Sequence, residues 1–200
     1  MKKTNQKGAT MIEVLGVLSI LSVMSVGVYS SIAAVQAKVK ITQAQDKVSR
    51  IIKSMRSQFS AFHPSSVSAG ALNKIGIFDN VTDDGKAYHV YGDEMEIQLS
   101  KVGDSDGYTS SFSESDPTFK LIYHNIPTRA CIDLLMADWG SDPSSGLVEI
   151  STGTASSVTF QWRKDYTEEA THHPLPPQVT EAAEECSRAA TVNVSWEYYF

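Results

Sequence analysis

The chain has 200 residues, of which 42% are apolar and 20% are charged. This length and composition are typical of one folded domain with a sizeable core, and they exclude a disordered chain or one that lies wholly in a membrane. The net charge of −6 argues against a protein that coats nucleic acid, so we expect no nucleic-acid partner.

Charge is distributed unevenly along the chain. The first eight residues carry three lysines and no acid, and the run from Val14 to Val35 carries no charge over 22 residues. The stretch Lys38–Arg56 holds six bases against one acid, whereas residues 57–200 hold 21 acids and 8 bases. The sequence therefore predicts a polarised molecule with a basic tip, an apolar segment, a basic stem and an acidic head.

The apolar run allows three interpretations. As a helix it would be roughly 33 Å long, enough to cross a bilayer, and the preceding lysines would keep the N-terminus cytoplasmic while the rest is exported. It could be an ordinary signal peptide cut near Ser31–Ala34, a plain anchor, or part of a processed precursor. Glu13 argues against the first two, because an acid within a membrane costs about 2–3 kcal/mol and calls for a functional partner.

Residues 8–13 read Gly-Ala-Thr-Met-Ile-Glu and stand directly before the apolar run. This segment closely resembles the cleavage box of the type IV pilin family. The resemblance implies that a membrane-embedded prepilin peptidase cuts between Gly8 and Ala9, that Ala9 is N-methylated, and that Glu13, with Thr10, serves assembly. Ala9 stands where the family more often has Phe or Met, and the family's frequent helix-breaking proline is missing, so we expect a continuous helix.

The expected cut leaves a free amine at Ala9, four residues from the carboxylate of Glu13. Both charges lie at one end of an apolar helix, and each offers the other a partner, most simply between neighbouring subunits. Removing one member of such a buried pair costs several kcal/mol, roughly 3–5, because the other charge is left unpaired. We expect the pair to set the register of the packed helices.

Apolar residues continue at helical spacing beyond this segment and predict one helix from about Thr10 to Phe62, roughly 80 Å long. The stripe expected to pack on the head comprises Ile41, Ala44, Val48, Ile51, Met55, Phe59 and Phe62. Pro64 and the serines at 65, 66 and 68 should end the helix. The basic stretch Lys38–Arg56 is interpreted as a solvated face, or as a surface that meets the acidic head of a neighbouring subunit.

The predicted organisation is a leader at 1–8, a transmembrane and polymerisation helix at 9–36, an amphipathic stem helix at 37–62 and a globular head at 63–200. In the head we expect a loop over 63–87, followed by strands and two short helices. The strands are Tyr88–Tyr91, Met95–Ser100, Phe119–Tyr123, Leu147–Ile150, Val158–Trp162 and Thr191–Phe200, and the helices are Pro127–Trp139 and Val179–Ala189. The fold class is α+β, with a long N-terminal helix on a mainly antiparallel sheet.

The two cysteines, Cys131 and Cys186, both lie in the head. If the head is exported, they are expected to form a disulfide that bounds the region 131–186 and stabilises it by about 4 kcal/mol. In a cytosolic domain they would instead be two buried thiols. The wide spacing of the cysteines resembles that of the larger b-type pilins. A leader of eight residues has the length found in a-type pilins, so the two features indicate different subclasses.

No motif for catalysis or a cofactor occurs, so we expect no enzyme, no cofactor and no metal. Asp104-Ser-Asp106-Gly107 does not follow the EF-hand pattern and is interpreted as a polar turn. His172-His173 stands before three prolines and is interpreted as an exposed rigid loop.

The resemblance implies a structural subunit of a type IV pilus. Its partners would be copies of itself in a helical filament, the prepilin peptidase, and the assembly platform with its ATPase. Its location would be the inner membrane and then an extracellular filament; family filaments serve adhesion, motility, DNA uptake, conjugation or secretion. The alternatives are a minor pilin or type II secretion pseudopilin, which the disulfide disfavours, and a secreted binding domain behind an ordinary signal peptide.

Overall fold

The computed structural model describes residues 11–101, 116–140, 145–153, 158–161 and 172–200. In chain order its elements are α1 (Met11–Phe59), α2 (Ala69–Lys74), β1 (Ala87–Tyr88), β2 (Glu94–Lys101), β3 (Pro117–Pro127), α3 (Thr128–Leu135), β4 (Leu147–Thr152), β5 (Val158–Gln161), β6 (His172–Pro174), α4 (Val179–Cys186) and β7 (Thr191–Tyr199). The chain divides into two compact units, residues 1–40 and 41–200, and α1 contributes to both.

Helix α1 runs for 49 residues without interruption. It contains no proline, so no residue lacks the backbone N–H that the helical ladder needs. Gly16 lies inside the helix, where a glycine weakens but does not break the backbone pattern. The continuous helix expected from the absence of proline is therefore confirmed.

The second unit is built on a seven-stranded sheet in the order β1-β2-β3-β7-β4-β5-β6. All neighbouring strands pair antiparallel except β5 and β6, which are parallel. The last strand of the chain, β7, lies between β3 and β4. The prediction of an α+β fold with a mainly antiparallel sheet is confirmed.

One face of the sheet packs against residues 41–59 of α1. The apolar side chains of α1 recur at helical spacing, and those of β7 alternate with polar ones, so both elements turn one apolar side to a shared core. The fully or nearly fully buried members of this core on the two elements are Ala44, Val48, Ile51, Met55, Val192, Val194, Trp196 and Tyr198. The predicted packing stripe of α1 is confirmed up to Met55, with Ile41 and Phe59 partly buried against the core.

The predicted end of the stripe at Phe62 is wrong. Helix α1 ends at Phe59, and Phe62 is 75% exposed. Pro64 disfavours helical geometry at the residue before it, which places the helix end a few residues earlier. The C-terminal Phe200 packs instead against Phe59 and His63, with ring centroids 6.3 and 5.2 Å away.

The predicted loop over 63–87 contains helix α2. Ser68 caps this helix, because its hydroxyl accepts a hydrogen bond from the backbone N–H of Ala71 at 3.3 Å. Leu72, Ile77 and Phe78 are buried in the core, so this connection forms part of the packed head.

Other boundaries also differ from the prediction. The strand expected over Tyr88–Tyr91 is limited to Ala87–Tyr88, because the chain turns at Gly92, whose φ of +97° suits glycine. Helices α3 and α4 end at Leu135 and Cys186, a few residues before the predicted limits. The predicted strand end Trp162 lies outside the described residues.

Candidate functional site: the N-terminal helix and the disulfide-bounded region

Glu13 lies in the first turn of α1. The other predicted processing and assembly residues, Gly8, Ala9 and Thr10, lie outside the described residues. The described structure therefore places Glu13 in the first described turn of α1, and its relation to Ala9 stays a prediction.

The apolar residues on both sides of Glu13, from Met11 to Leu21, form an exposed surface in the single chain. Large apolar side chains here are between about half and five-sixths exposed, namely Met11, Ile12, Val14, Leu15, Val17, Leu18, Ile20 and Leu21. A contiguous exposed apolar surface of this kind marks an interaction surface for protein or lipid. No helix among the described residues meets the length and hydropathy expected of a membrane-crossing segment.

Two serines interrupt the apolar composition of this segment. The Ser19 hydroxyl donates to the Gly16 carbonyl, and the Ser22 hydroxyl donates to the Ser19 carbonyl, both at 2.8 Å. These polar groups are therefore satisfied within the helix itself. The segment can enter apolar surroundings without leaving the two hydroxyl protons unpaired.

The basic stretch Lys38–Arg56 is not uniformly solvated, which corrects the prediction of a single solvated face. Lys47 is 8% exposed, and its Nζ lies 2.6 Å from Oδ1 of Asp79. The hydrogen bond from Lys47 lowers the pKa of the Asp79 carboxyl. Lys47 therefore joins α1 to the connection after α2 within one chain.

Arg56, at the other end of the basic stretch, is also engaged inside the head. Its Nη1 donates to the carbonyl of Ser145 at 2.6 Å. The remaining bases of the stretch, Lys38, Lys40, Arg50 and Lys53, are exposed.

The disulfide joins α3 to α4. Cys131 and Cys186 are bonded, with their Cα atoms 5.8 Å apart, and both are fully buried. The predicted disulfide is confirmed. Next to it on α4, Glu185 is buried, and burial raises the pKa of its carboxyl against the opposing effect of Arg188, whose Nη2 lies 2.7 Å away. The disulfide thus holds together α3 and α4, two short helices that would be only marginally stable by themselves.

A row of polar side chains crosses the face of the sheet opposite the α1 core, and the sequence analysis missed it. Strand registers place the members side by side in the order Gln98, Lys120, Glu197, Glu149 and Gln161. Lys120 Nζ lies 2.6 Å from Glu149 and 3.1 Å from Glu197. Burial alone would lower the pKa of Lys120, but the two carboxylates raise it overall.

One sequence signal for this row was available, namely the strict alternation of apolar and polar residues along β7. Glu197 falls on the polar side of β7, yet it is 0% exposed and accepts a hydrogen bond from Thr118 at 2.5 Å. Alternation alone identifies which side a residue faces, not whether that side is covered. The centre of the row is therefore a pair of buried carboxylates, Glu149 and Glu197, that oppose each other across β4 and β7. The ammonium group of Lys120 reaches both of them, which offsets their repulsion.

The predicted exposed loop at His172-His173 is wrong, because these residues form strand β6 and pair with β5. The ring of His173 stacks on Phe160 at 5.3 Å, and its Nδ1 lies 3.4 Å from Glu181. Among the described residues, no group of His, Cys, Asp and Glu has the arrangement of a metal site. Asp104 and Asp106 lie outside the described residues.

Residues 3–29 match the family model described as the prokaryotic N-terminal methylation motif. No curated protein matches the chain. Among solved structures, a type IV b pilin from Salmonella typhi is similar over 82% of this chain and 99% of its own, at 14% identity and a TM-score of 0.47. TcpA, a type IV pilin from Vibrio cholerae El Tor biotype, is similar over 79% and 98%, at 13% identity and a TM-score of 0.46.

Proposed function

We propose that this chain, a member of the type IV pilin family by its N-terminal methylation motif, is a structural subunit of a type IV pilus. Prepilin peptidase cuts it after Gly8, Ala9 is N-methylated, and the subunit is held in the inner membrane until the assembly platform and its ATPase add it to an extracellular filament. One observation carries the proposal: Glu13 lies in an uninterrupted helix of 49 residues, and the described turns around it expose a continuous apolar surface.

The filament forms by packing these helices together. The filament core shields each described apolar side chain from Met11 to Leu21 once the subunit has left the membrane, since exposing such a side chain to water would cost up to about 1.5–3 kcal/mol. The serines of the segment add little cost, because their hydroxyls already donate to helix carbonyls. Apolar packing alone fixes no register, since neighbouring turns of the helix are chemically alike.

Register comes from the pair formed between the Ala9 amine and the Glu13 carboxylate of neighbouring subunits. In apolar surroundings an unpaired charge is costly, so a slipped helix loses several kcal/mol, about 3–5. Thr10, which lies between Ala9 and Glu13 in sequence, belongs to the same assembly segment. The exposed bases Lys40, Arg50 and Lys53 lie on α1, where raised salt would weaken any contact they make with acidic heads.

Processing is tested by the mass and N-terminal sequence of the protein purified from its own host. We expect a chain that starts at methylated Ala9. Gly8→Ser should leave the uncut precursor in the membrane, whereas the control Gly16→Ser, placed where a Cβ meets nothing within 4 Å, should be cut normally. A start near residue 34 would identify an ordinary signal peptide and contradict the proposal.

The role in a pilus is tested by shearing cells and counting subunits in the released filaments. A major pilin forms the bulk of the sheared filament protein. If the processed chain is a trace component of filaments, or is found only with the secretion machinery, it is a minor pilin or pseudopilin.

A further inference from the structure

His89 lies in the turn between β1 and β2 and is only 4% exposed. Its Nδ1 accepts a hydrogen bond from the backbone N–H of Tyr91 at 3.2 Å. Its Nε2 lies 2.8 Å from the carbonyl oxygen of His124, which only accepts. Nε2 must therefore carry the ring proton, and Nδ1 must be unprotonated. These two contacts use the neutral imidazole completely and fix one tautomer.

The same ring is held by aromatic packing. It stacks on the ring of Tyr123 with centroids 4.7 Å apart and planes 13° apart, and it meets Tyr91 edge-on at 5.9 Å. The turn is closed by two backbone hydrogen bonds of 3.0 Å, from His89 N–H to Asp93 and from Gly92 N–H to His89. The backbone of His89 thus closes the turn 88–93, and its ring connects that turn to β3.

The contacts to β3 fall where that strand is irregular. The register of β3 with β7 shifts between Tyr123 and Ile126, and Asn125 has a φ of +54°, which is rare for a residue with a side chain. The carbonyl that His89 binds belongs to His124, within this bulge. Few ladder bonds hold the chain here, so a side-chain contact to the bulge matters more than it would in a regular strand.

The charges around His89 come from several elements. Lys47 of α1 contacts the carbonyl of Tyr88 at 3.4 Å and forms its ion pair with Asp79. Asp93 lies in the same turn, and His124 lies on β3 with Glu96 3.6 Å from its ring. From α3, Asp133 faces Tyr91, the aromatic neighbour of His89.

Burial lowers the pKa of His89, and Lys47 and His124 lower it further, while the His124 carbonyl and Asp93 oppose the shift. A histidine whose folded-state pKa is depressed binds its proton more readily when its surroundings open. The stability that the neutral His89 ring contributes is therefore fully present above about pH 6.5, the ordinary pKa of histidine. That contribution is lost as the pH falls from there towards the depressed value.

We propose that His89 is an acid-sensitive latch that holds the turn 88–93 on the bulge of β3. When neutral, the ring bridges the Tyr91 N–H and the His124 carbonyl. When Nδ1 gains a proton, its N–H faces the N–H of Tyr91 and a cation is created in a buried position near Lys47. The turn then opens while the central strands remain paired. The latch lies wholly within residues 41–200 and does not depend on filament assembly.

The experiment is hydrogen exchange of the full chain at pH 7.5 and pH 5.0, read by mass spectrometry and normalised to intrinsic exchange rates. We expect the amides of residues 88–93 to exchange roughly tenfold more readily at pH 5.0, following the proton linkage of a depressed histidine. The amides of β7 should change little. Equal normalised exchange of the turn at both pH values would overturn the proposal.

Two variants assign the effect to His89. His89→Gln keeps an uncharged side chain with an N–H donor, and we expect the difference between the two pH values to disappear. His124→Gln removes the other nearby imidazole but keeps the carbonyl that His89 binds, and the difference should remain. A pH difference that persists in His89→Gln, or disappears in His124→Gln, contradicts the latch.

If His89→Gln does not fold, the wild-type chain still decides the question. Nitrogen chemical shifts of the His89 ring should report the neutral form protonated at Nε2 at pH 7.5, and the second proton should bind at a lower pH than it does in an unfolded peptide that contains His89. A ring already doubly protonated at pH 6.5 would overturn the proposal.

Discussion

The guanidinium of Arg56 lies against the backbone of Gly146. A Cβ added at Gly146 would come within 2.8 Å of the guanidinium carbon, and Gly146 has a φ of +84°. The same guanidinium donates to the carbonyl of the preceding Ser145. One glycine thus allows a helix residue to hold the start of β4 by its backbone.

Gly146→Ala should destabilise the head for two separable reasons. Any side chain at this φ adds about 1–2 kcal/mol of backbone strain, and displacing Arg56 removes a hydrogen bond worth about 1.5–3 kcal/mol. Gly85→Ala is a matched control, because Gly85 has a φ of +81° but open space around it. Urea unfolding should show a larger loss for Gly146→Ala, and equal losses would mean that the Arg56 contact contributes nothing.

Met55→Ala should weaken the packing of α1 on the sheet. Met55 is fully buried, and truncating a buried Met leaves a cavity that costs about 2–5 kcal/mol. Phe62→Ala is the control, because Phe62 is 75% exposed and surface changes usually stay within about 0.5 kcal/mol. Thermal unfolding of both variants measures the difference. A comparable loss for Phe62→Ala would contradict the exposed position of Phe62.

Lys120→Met should lower the stability of the head more than the loss of an exposed lysine does. It leaves the directly opposed carboxylates of Glu197 and Glu149 without this base, and removing one partner from a buried ionic cluster costs about 3–5 kcal/mol. Lys101→Met, at the exposed end of β2, should change stability by less than about 0.5 kcal/mol. Chemical denaturation of the two variants checks this, and equal stabilities would show that the cluster is not energetically coupled.

The sequence predicted those parts of the fold that have a strong local pattern. Helical spacing gave α1, and strict alternation gave β7 with its buried Val194, Trp196 and Tyr198. The cysteines gave the disulfide once export was assumed. The first two signals come from residues that lie close together in sequence. The third comes from cysteine, a residue type that has few roles in an exported protein.

The missed features depend on contacts between distant segments. Lys47 resembles its exposed neighbours in sequence, and only the approach of Asp79 distinguishes it. The ionic row needed the strand order, since Lys120 and Glu149 are brought together across β7. Helix α2 is too short for a periodic pattern, and its one local signal was the capping position of Ser68.

The central claim is that the N-terminal helices assemble in a register set by Glu13. Its most direct test is the amount of filament sheared from cells that express Glu13→Val, compared with wild type and with the control Ser19→Ala in the same segment. We predict that Glu13→Val is cut after Gly8 yet yields almost no filament, while Ser19→Ala assembles normally. Abundant filaments from Glu13→Val would contradict the account.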